Sequence, residues 1–394
     1  MKPSTTSSAT AIRSKTDRFE ALDGWRGICA CLVALLHFHG YSPIYSSALV
    51  RNSYLFVDFF FVLSGFVIAY TYSTRLDSGP QVKRFLILRL GRLYPLHLFV
   101  LFCLVALETL RLFATGEGFK GEHSPTALLS NLLLLHSLNI HDGLTWNGPS
   151  WSISTELWAY VTFALVSAWM GMRNWMLIAT AVAAPLALFY LSKSGMDTTF
   201  DYGFIRCLFG FSLGVACFRL HAARPASLQS PGNTLMTVLE VCIVAAVIAY
   251  VSAAGTSTMS FMAPFVFAVA VLIFAIEGGL VSRLFRWRLL KWLGTLSYSI
   301  YLTHYLVLAV VPPVVKRLAG QDLWTAMPLP GGQFVMAFGR NNIEGTLLYA
   351  LVLAATLALS AFTYRWVETP GRDWTRRWLG RPAHAATRVE AQQS

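Results

Sequence analysis

A histidine inside an apolar stretch is the residue of this sequence best suited to proton transfer. Ionisable side chains within a membrane are costly, and each is therefore a candidate functional residue. Arg26 and His37 lie eleven positions apart in the first apolar stretch, which corresponds to about 16 Å along a helix axis. Histidine accepts and returns a proton near neutral pH. The alternative is that His37 only caps a polar pocket.

Two further arginines lie at the start of the third apolar stretch. Arg89 and Arg92 are three residues apart and so share one face of a helix. Paired guanidinium groups on one face suit a phosphate-rich ligand, which each can bind through two hydrogen bonds. The alternative is an ordinary positive anchor at the membrane boundary, which accounts for Lys83 and Arg84 but less well for Arg92, whose neighbours are apolar.

A carboxylate follows a turn in the segment 146–158. Gly148 and Pro149 indicate the turn, and helical rise then places Glu156 about 8 Å below the outer surface. This depth is close to the one expected for His37. The sequence therefore predicts a base and its orienting carboxylate, or a contact to sugar hydroxyls; the alternative is a structural ion pair.

Weaker candidates for substrate contact are Asp58, Trp151, Tyr298, Tyr301 and His304. Tyr298, Tyr301 and Tyr305 lie on neighbouring turns, where they either line an acceptor cavity or only pack. The chain lacks Gly-x-Ser-x-Gly, His-Glu-x-x-His and a phosphate-binding glycine loop. Its six cysteines show no Cys-x-x-Cys spacing, so no metal site is predicted.

The composition requires helices in lipid to position these residues. Hydrophobic residues make up 55% of the 394, and charged residues 13%, about half the share that is typical of soluble domains. The net charge of +12 comes from Lys and Arg at the ends of apolar stretches. That pattern is typical of membrane anchoring and not of nucleic-acid binding. The polar first 18 residues predict no cleavable signal peptide.

We expect an all-α, polytopic membrane bundle with about ten spans, because each span needs about 20 apolar residues. The predicted spans are 24–41, 54–73, 85–110, 151–170, 174–192, 203–220, 234–252, 259–277, 296–316 and 346–366.

Loop charge predicts the topology of these spans. Basic residues near both ends of the chain place both termini in the cytoplasm. The topology counted from the N-terminus agrees with the one counted from the C-terminus only if 124–138 does not cross the membrane. This segment is therefore predicted to be a re-entrant or interfacial helix. We expect residues 1–18 to be a disordered cytoplasmic N-terminus, 19–375 a single membrane domain, and 376–394 a disordered cytoplasmic tail.

Six motifs in order make the chain similar to the acyltransferase-3 family of membrane O-acyltransferases, over about residues 18–375. The motifs are Arg26 with His37 (Arg-ten-His), Asp58–Phe66 (Asp-x-Phe-Phe-Val-Leu-Ser-Gly-Phe), Arg89 and Arg92 with Pro95, Ser150–Glu156 (Trp-Ser-x-x-x-Glu), Leu296–His304 (Ser-Tyr-x-x-Tyr-Leu-x-His), and Glu368 with Pro370.

The resemblance implies an O-acetyltransferase of bacterial cell-surface glycans in the inner membrane. Acyl-CoA, typically acetyl-CoA, would act as a co-substrate from the cytoplasm, with its phosphates near Arg26, Arg89 and Arg92. No cofactor would be bound permanently. His37, assisted by Glu156, would deprotonate an acceptor hydroxyl; an acyl-histidine intermediate is the alternative. The acceptor would be a carbohydrate or a lipid-linked glycan.

The main alternative function is a multi-span transporter of a small solute or glycan precursor, because buried charges and a re-entrant segment suit one. The absence of visible internal repeats in the sequence argues against it. A non-catalytic partner in polysaccharide export is a second alternative.

Overall fold

Long helices dominate the computed structural model, which describes residues 19–224, 232–330 and 332–380. The predicted disordered segment 1–18 lies outside these residues, as does the part 381–394 of the predicted tail 376–394. The α-helices are α1 (Glu20–His37), α2 (Pro43–Ser46), α3 (Ala48–Arg51), α4 (Phe56–Tyr72), α5 (Gly79–Thr115), α6 (Pro125–Leu132), α7 (Trp151–Trp169), α8 (Asn174–Leu191), α9 (Gly203–Ala223), α10 (Asn233–Ala254), α11 (Ala263–Phe274), α12 (Leu280–Phe285), α13 (Arg288–Ala319), α14 (Asn342–Thr363) and α15 (Thr369–Trp378). Short 3-10 turns precede several of them, and a π-helix, Tyr364–Glu368, joins α14 to α15.

Seven helices of the described chain are long and apolar enough to cross a membrane, and the polytopic helical fold is thereby confirmed. They are Ser53–Tyr72, Gly79–Thr115, Asn174–Leu191, Gly203–Ala223, Asn233–Ala254, Arg288–Ala319 and Asn342–Trp378. The three other predicted spans are also helical. The α1 helix carries three charged residues, α7 is rich in Ser and Thr, and Thr258–Phe274 is short. The number of ten crossings stays a prediction.

A small β-hairpin departs from the predicted all-α fold. The segment 317–345, expected to be a loop, contains β1 (Trp324–Pro328) paired antiparallel with β2 (Phe334–Phe338). The backbone N–H of Phe338 donates to the His39 carbonyl at 2.7 Å. The hairpin is therefore fastened to the chain that follows α1. Alternating burial of short strands is a weak sequence signal, which explains why it was missed.

The predicted re-entrant helix 124–138 is shorter than expected. Its helical part is α6, which begins at Pro125 after Ser124 accepts a capping hydrogen bond, and ends at Leu132. Leu134 then adopts a left-handed backbone conformation (φ 53°), which stops the helix. At the other end of the chain, α15 continues to Trp378 and so includes the first residues of the predicted tail.

Close contact between α1 and α13 holds the predicted Arg-ten-His helix in place. A Cβ at Gly27 would lie 2.6 Å from the Gly294 backbone nitrogen, and one at Gly294 would lie 2.2 Å from the Asp23 carbonyl oxygen. Only glycine permits such an approach of two helix backbones. The α13 helix, which carries Tyr298, Tyr301 and His304, therefore packs directly against the helix that carries Arg26 and His37.

A second close contact joins α5 to α15. A Cβ at Gly91 would lie 2.2 Å from the Thr375 hydroxyl oxygen, and one at Gly371 would lie 2.5 Å from the Pro95 ring. Arg84 donates to the Leu379 carbonyl at 2.8 Å. The two helices therefore run antiparallel along the stretch of α5 that carries the predicted arginine pair.

Candidate active site

Helices α1 and α5 bring the three predicted arginines into one electrostatic group. Arg26 interacts with Arg92 and Glu156, and both Arg89 and Arg92 interact with the Tyr160 hydroxyl. Like charges gather in an apolar bundle only if other groups or a ligand compensate them. This group of Arg26, Arg89 and Arg92 is called the arginine cluster below.

The arginine cluster retains unused hydrogen-bond donors. Arg26 donates to Asp23 at 3.2 Å, and Arg89 donates to the Tyr72 hydroxyl at 3.3 Å. The Nε of Arg89 is buried and, among the described residues, without a partner. Arg92 makes no hydrogen bond within residues 19–224, 232–330 and 332–380. Guanidinium donors left free in this way can bind an anion through paired hydrogen bonds.

Glu156 lies with the arginines and not with His37. Its Oε1 accepts hydrogen bonds from Ser64 at 2.6 Å and from Tyr160 at 2.5 Å, and its charge acts on Arg26 and Arg92. In the described chain it makes no hydrogen bond to His37. The structure therefore does not pair the two residues directly, and their common depth in the membrane stays a prediction.

At the other end of α1, His37 has one ring nitrogen engaged and one available. Its Nδ1 lies 2.8 Å from the Val33 carbonyl oxygen. A carbonyl only accepts hydrogen bonds, so Nδ1 carries the hydrogen and Nε2 keeps its lone pair. His304 repeats this arrangement with Ile300 at 3.2 Å. Its ring lies 4.9 Å from that of His37, and its buried Nε2 has no partner among the described residues.

An open cavity of about 370 Å³ borders His37. The imidazole is exposed there, so a substrate can reach it. The walls come from the end of α1, the prolines inside α13 and the β-hairpin. The lining residues are His37, Phe38, His39, Leu308, Pro312, Pro313, Lys316, Trp324 and Phe338.

Asp58 occupies a buried ion pair, which argues against its predicted contact with substrate. Arg206 donates from Nε and Nη2 to its two carboxylate oxygens at 2.9 and 2.8 Å. The exposed fractions of the two side chains are 0% for Asp58 and 1% for Arg206. Both oxygens are therefore engaged. The guanidinium also lies 5.4 Å from the Trp151 ring, so the structure gives Trp151 a packing contact with this pair.

The two tyrosines of α13 are hydrogen-bonded within the bundle. Tyr298 donates to the Leu93 carbonyl at 2.5 Å, and the Tyr301 hydroxyl accepts from Ser152 at 2.8 Å. The Tyr301 ring lies 6.0 Å from that of His304. Tyr301 therefore connects the histidine end of the site to α7, whereas Tyr298 connects α13 to α5. Substrate contact by either residue stays a prediction.

Glu368 lies beside the arginine cluster. The sequence placed it in a family motif but did not predict it as a site residue. It is buried in the π-helix, a form that is frequent at functional sites. Ser299 donates to its Oε2 at 2.9 Å, and its charge interacts with Arg92, Arg372 and Arg26. The signal for its role was a lone carboxylate at the end of an apolar span.

A pair of buried histidines lies outside the predicted site. The rings of His97 and His136 are parallel, with centroids 6.1 Å apart, and Ser150 contacts the His136 Nε2 at 3.1 Å. Burial, followed by the neighbouring His97, lowers the pKa of His136 to about 3. The ring is therefore neutral, and its contacts hold the segment before α7 against α5.

Comparison with known proteins agrees with this geometry. Residues 19–365 match the acyltransferase-3 family, described as an acyltransferase domain. Protein 2 in the picA locus of Rhizobium radiobacter is 32% identical over 195 residues, which cover 44% of this chain and 95% of that protein. The peptidoglycan O-acetyltransferase OatA of Listeria monocytogenes is 24% identical over 387 residues, 89% of this chain and 55% of the relative. The chain thus spans about half the length of this second relative.

No solved structure matches the chain. The family match nevertheless covers most of its length, including α1, α5, α7 and α13, which carry the arginine cluster, Glu156, His37 and His304. The chain belongs to the acyltransferase-3 family and is a multi-pass membrane O-acyltransferase.

Proposed function

We propose that the protein transfers an acyl group, typically acetyl, from cytoplasmic acyl-CoA to a hydroxyl of an extracytoplasmic or membrane-linked carbohydrate. The observation that carries the proposal is the arrangement of α1. This helix bears an arginine with an anion-binding cluster at one end, and at the other a histidine with a free Nε2 beside an open cavity.

The arginine cluster supports acyl-CoA as the donor. Its free donors suit phosphate groups, and CoA carries three phosphates joined to a long, flexible pantetheine arm. The distance of about 16 Å between Arg26 and His37 along α1 is one that such an arm can span. The phosphates would then stay at the cluster while the thioester reaches His37.

The cavity supports a hydroxyl acceptor that approaches from the opposite side. The His37 Nε2 would remove the hydroxyl proton as the oxygen attacks the thioester carbonyl. The carbon–sulfur bond then breaks, and the proton passes to the departing thiolate to give an ester and CoA. In the alternative route, Nε2 attacks the thioester first, and the acyl-imidazole passes the group to the hydroxyl. An intersecting pattern in steady-state kinetics would count against the simple two-step route through acyl-histidine.

The name of the Listeria relative supports a cell-surface glycan as the acceptor class. We further propose that the protein lies in a bacterial plasma membrane with both termini in the cytoplasm, because this orientation places the arginine cluster where CoA is found. Membership of an acyltransferase family favours transfer over the transporter function that the span pattern left open.

Replacing His37 tests the proposed function directly. We expect H37A to lower kcat for acyl transfer by about 10²- to 10⁴-fold, the usual contribution of general-base catalysis. The measurement is ester formation on surface glycan in membranes supplied with labelled acetyl-CoA. The matched control is H221A, because His221 packs against Phe19 and Phe66, away from the cavity. Acetylation by a folded H37A protein at the wild-type rate would refute the role of His37.

A further inference from the structure

We propose that Arg372 is a fourth cationic ligand of the donor site and binds a phosphate of acyl-CoA together with the arginine cluster. The inference rests on the proposed function, and it assigns part of donor recognition to α15. This helix lies beyond the residues that match the family, which end at 365.

Helix packing places Arg372 beside Arg92. Gly371 contacts Pro95, and Thr375 contacts Gly91. Arg372 lies between these two contacts along α15, as Arg92 lies between them along α5. The crossing leaves no space for a Cβ at either glycine, and the relative position of the two helices is therefore fixed.

Arg372 lies on the same helix face as Glu368, the last residue of the π-helix. Glu368 precedes Arg372 by four residues, so both side chains lie on one helix face. That face points to α13, because Glu368 accepts a hydrogen bond from Ser299. The Glu368 carboxylate interacts with Arg92, Arg372 and Arg26 alike. Residues from α1, α5 and α15 thus surround one carboxylate.

Several polar atoms at this position have hydrogen-bonding capacity that no described residue uses. The Nε of Arg372 lies 3.8 Å from the Asp373 carboxylate, too far for a hydrogen bond, and it and the hydroxyl of Thr369 are buried without a hydrogen-bond partner in the part of the chain that the structure describes. The Nε of Arg89 is in the same condition. A buried donor without a partner costs free energy. An anion with several acceptor oxygens would satisfy these donors, and a phosphate is the anion that guanidinium groups bind most specifically.

Arg376 provides a matched control on the same helix. It is one turn further along α15, and like Arg372 it lies within 4 Å of Asp373, at 3.9 Å against 3.8 Å. Its side chain is 63% exposed, whereas that of Arg372 is 29% exposed. Substituting either residue removes one positive charge from α15, but of the two only Arg372 interacts with the Glu368 carboxylate beside the cluster.

The experiment compares donors with and without phosphates. Wild type, R372Q, R372K and R376Q are assayed with acetyl-CoA and with acetyl-pantetheine, which keeps the thioester but lacks the nucleotide. We expect R372Q to raise KM for acetyl-CoA by about 10-fold or more, as for a lost hydrogen bond between charged groups, and to leave the KM for acetyl-pantetheine unchanged. R372K should give an intermediate KM because lysine keeps the charge but loses the paired donors. R376Q should match wild type.

Equal changes with both donors, or none, would overturn the assignment of Arg372 while leaving the proposed function intact. Failure of the wild-type protein to use acetyl-CoA at all would instead refute the proposed donor. If R372Q does not fold, R372K tests the same point. A wild-type KM of R372K for acetyl-CoA, with R376Q also at wild type, would then contradict the assignment.

Discussion

Two arginines inside the helical bundle, Arg206 and Arg92, differ in how many hydrogen bonds they make. Arg206 donates to both oxygens of Asp58 and to the carbonyls of Thr198 and Tyr54. Arg92 lies in the same apolar bundle but, within the described residues, it makes no hydrogen bond. Its neighbours act on it only through charge.

The difference shows that an ionisable residue inside a membrane bundle is not by itself a sign of catalysis. A buried ion pair in which all three guanidinium nitrogens make hydrogen bonds connects helices and leaves little capacity for a ligand. A half-buried guanidinium with unused donors inside an apolar bundle can instead bind an acceptor that a ligand supplies. The sequence made Arg92 a candidate for donor binding and Asp58 a weaker candidate for substrate contact, and the hydrogen-bond partners of each show how differently they are placed.

Of the two arginines, Arg206 is the one whose substitution should reduce stability most. We expect R206M to destabilise the protein by about 3–5 kcal/mol, because it leaves the Asp58 carboxylate buried without its partner. The measurement is thermal unfolding in detergent, followed by the yield of monodisperse protein. The double variant D58L/R206M should recover much of the loss, since no charge is then stranded. An R206M protein as stable as wild type would contradict a structural role for the pair.

At Arg92 the opposite outcome is expected. R92Q should leave the thermal unfolding temperature close to that of wild type and raise KM for acetyl-CoA by about 10- to 100-fold, as expected when charged hydrogen bonds to phosphate are lost. Arg84 supplies the control, because its donors are already engaged by the carbonyls of Leu379 and Gly380. R84Q should leave the KM unchanged. A destabilised R92Q with a normal KM would place Arg92 in the same class as Arg206.

Glu156 combines features of both arginine sites, because it is hydrogen-bonded within the bundle and also acts through its charge. Its substitution tests which of these features matters for activity. One carboxylate oxygen is engaged by Ser64 and Tyr160, while its charge offsets the arginine cluster. We expect E156Q, which keeps the shape, to lower kcat/KM by about 10-fold, roughly 1.4 kcal/mol, with little change in stability. S64A, which removes one donor, should have a smaller effect. A larger loss with S64A than with E156Q would show that the contact matters more than the charge.

The fold was largely predictable from the sequence, whereas the site was predictable only in part. The long apolar stretches predicted the helices. The spacing of Arg26 and His37 predicted that they lie near opposite ends of α1, because both belong to one regular helix. The hydrogen bond of Glu156 with Ser64 was not predictable, since Ser64 lies 92 residues away on another helix. The pairing of His37 with His304 and the crossing of α15 over α5 arise from tertiary contacts, which one sequence does not encode locally.

The two prolines that line the cavity have a consequence for how an acceptor is recognised. Pro312 and Pro313 lie within α13 and lack the N–H groups that would bond the carbonyls of Leu308 and Ala309. Leu308 itself borders the cavity. The wall beside His37 therefore contains, at Leu308, a main-chain oxygen without its usual helical donor, and exchanging side chains along that wall would not restore the bond. Recognition of an acceptor would then depend on the backbone of a helix as much as on the residues it carries.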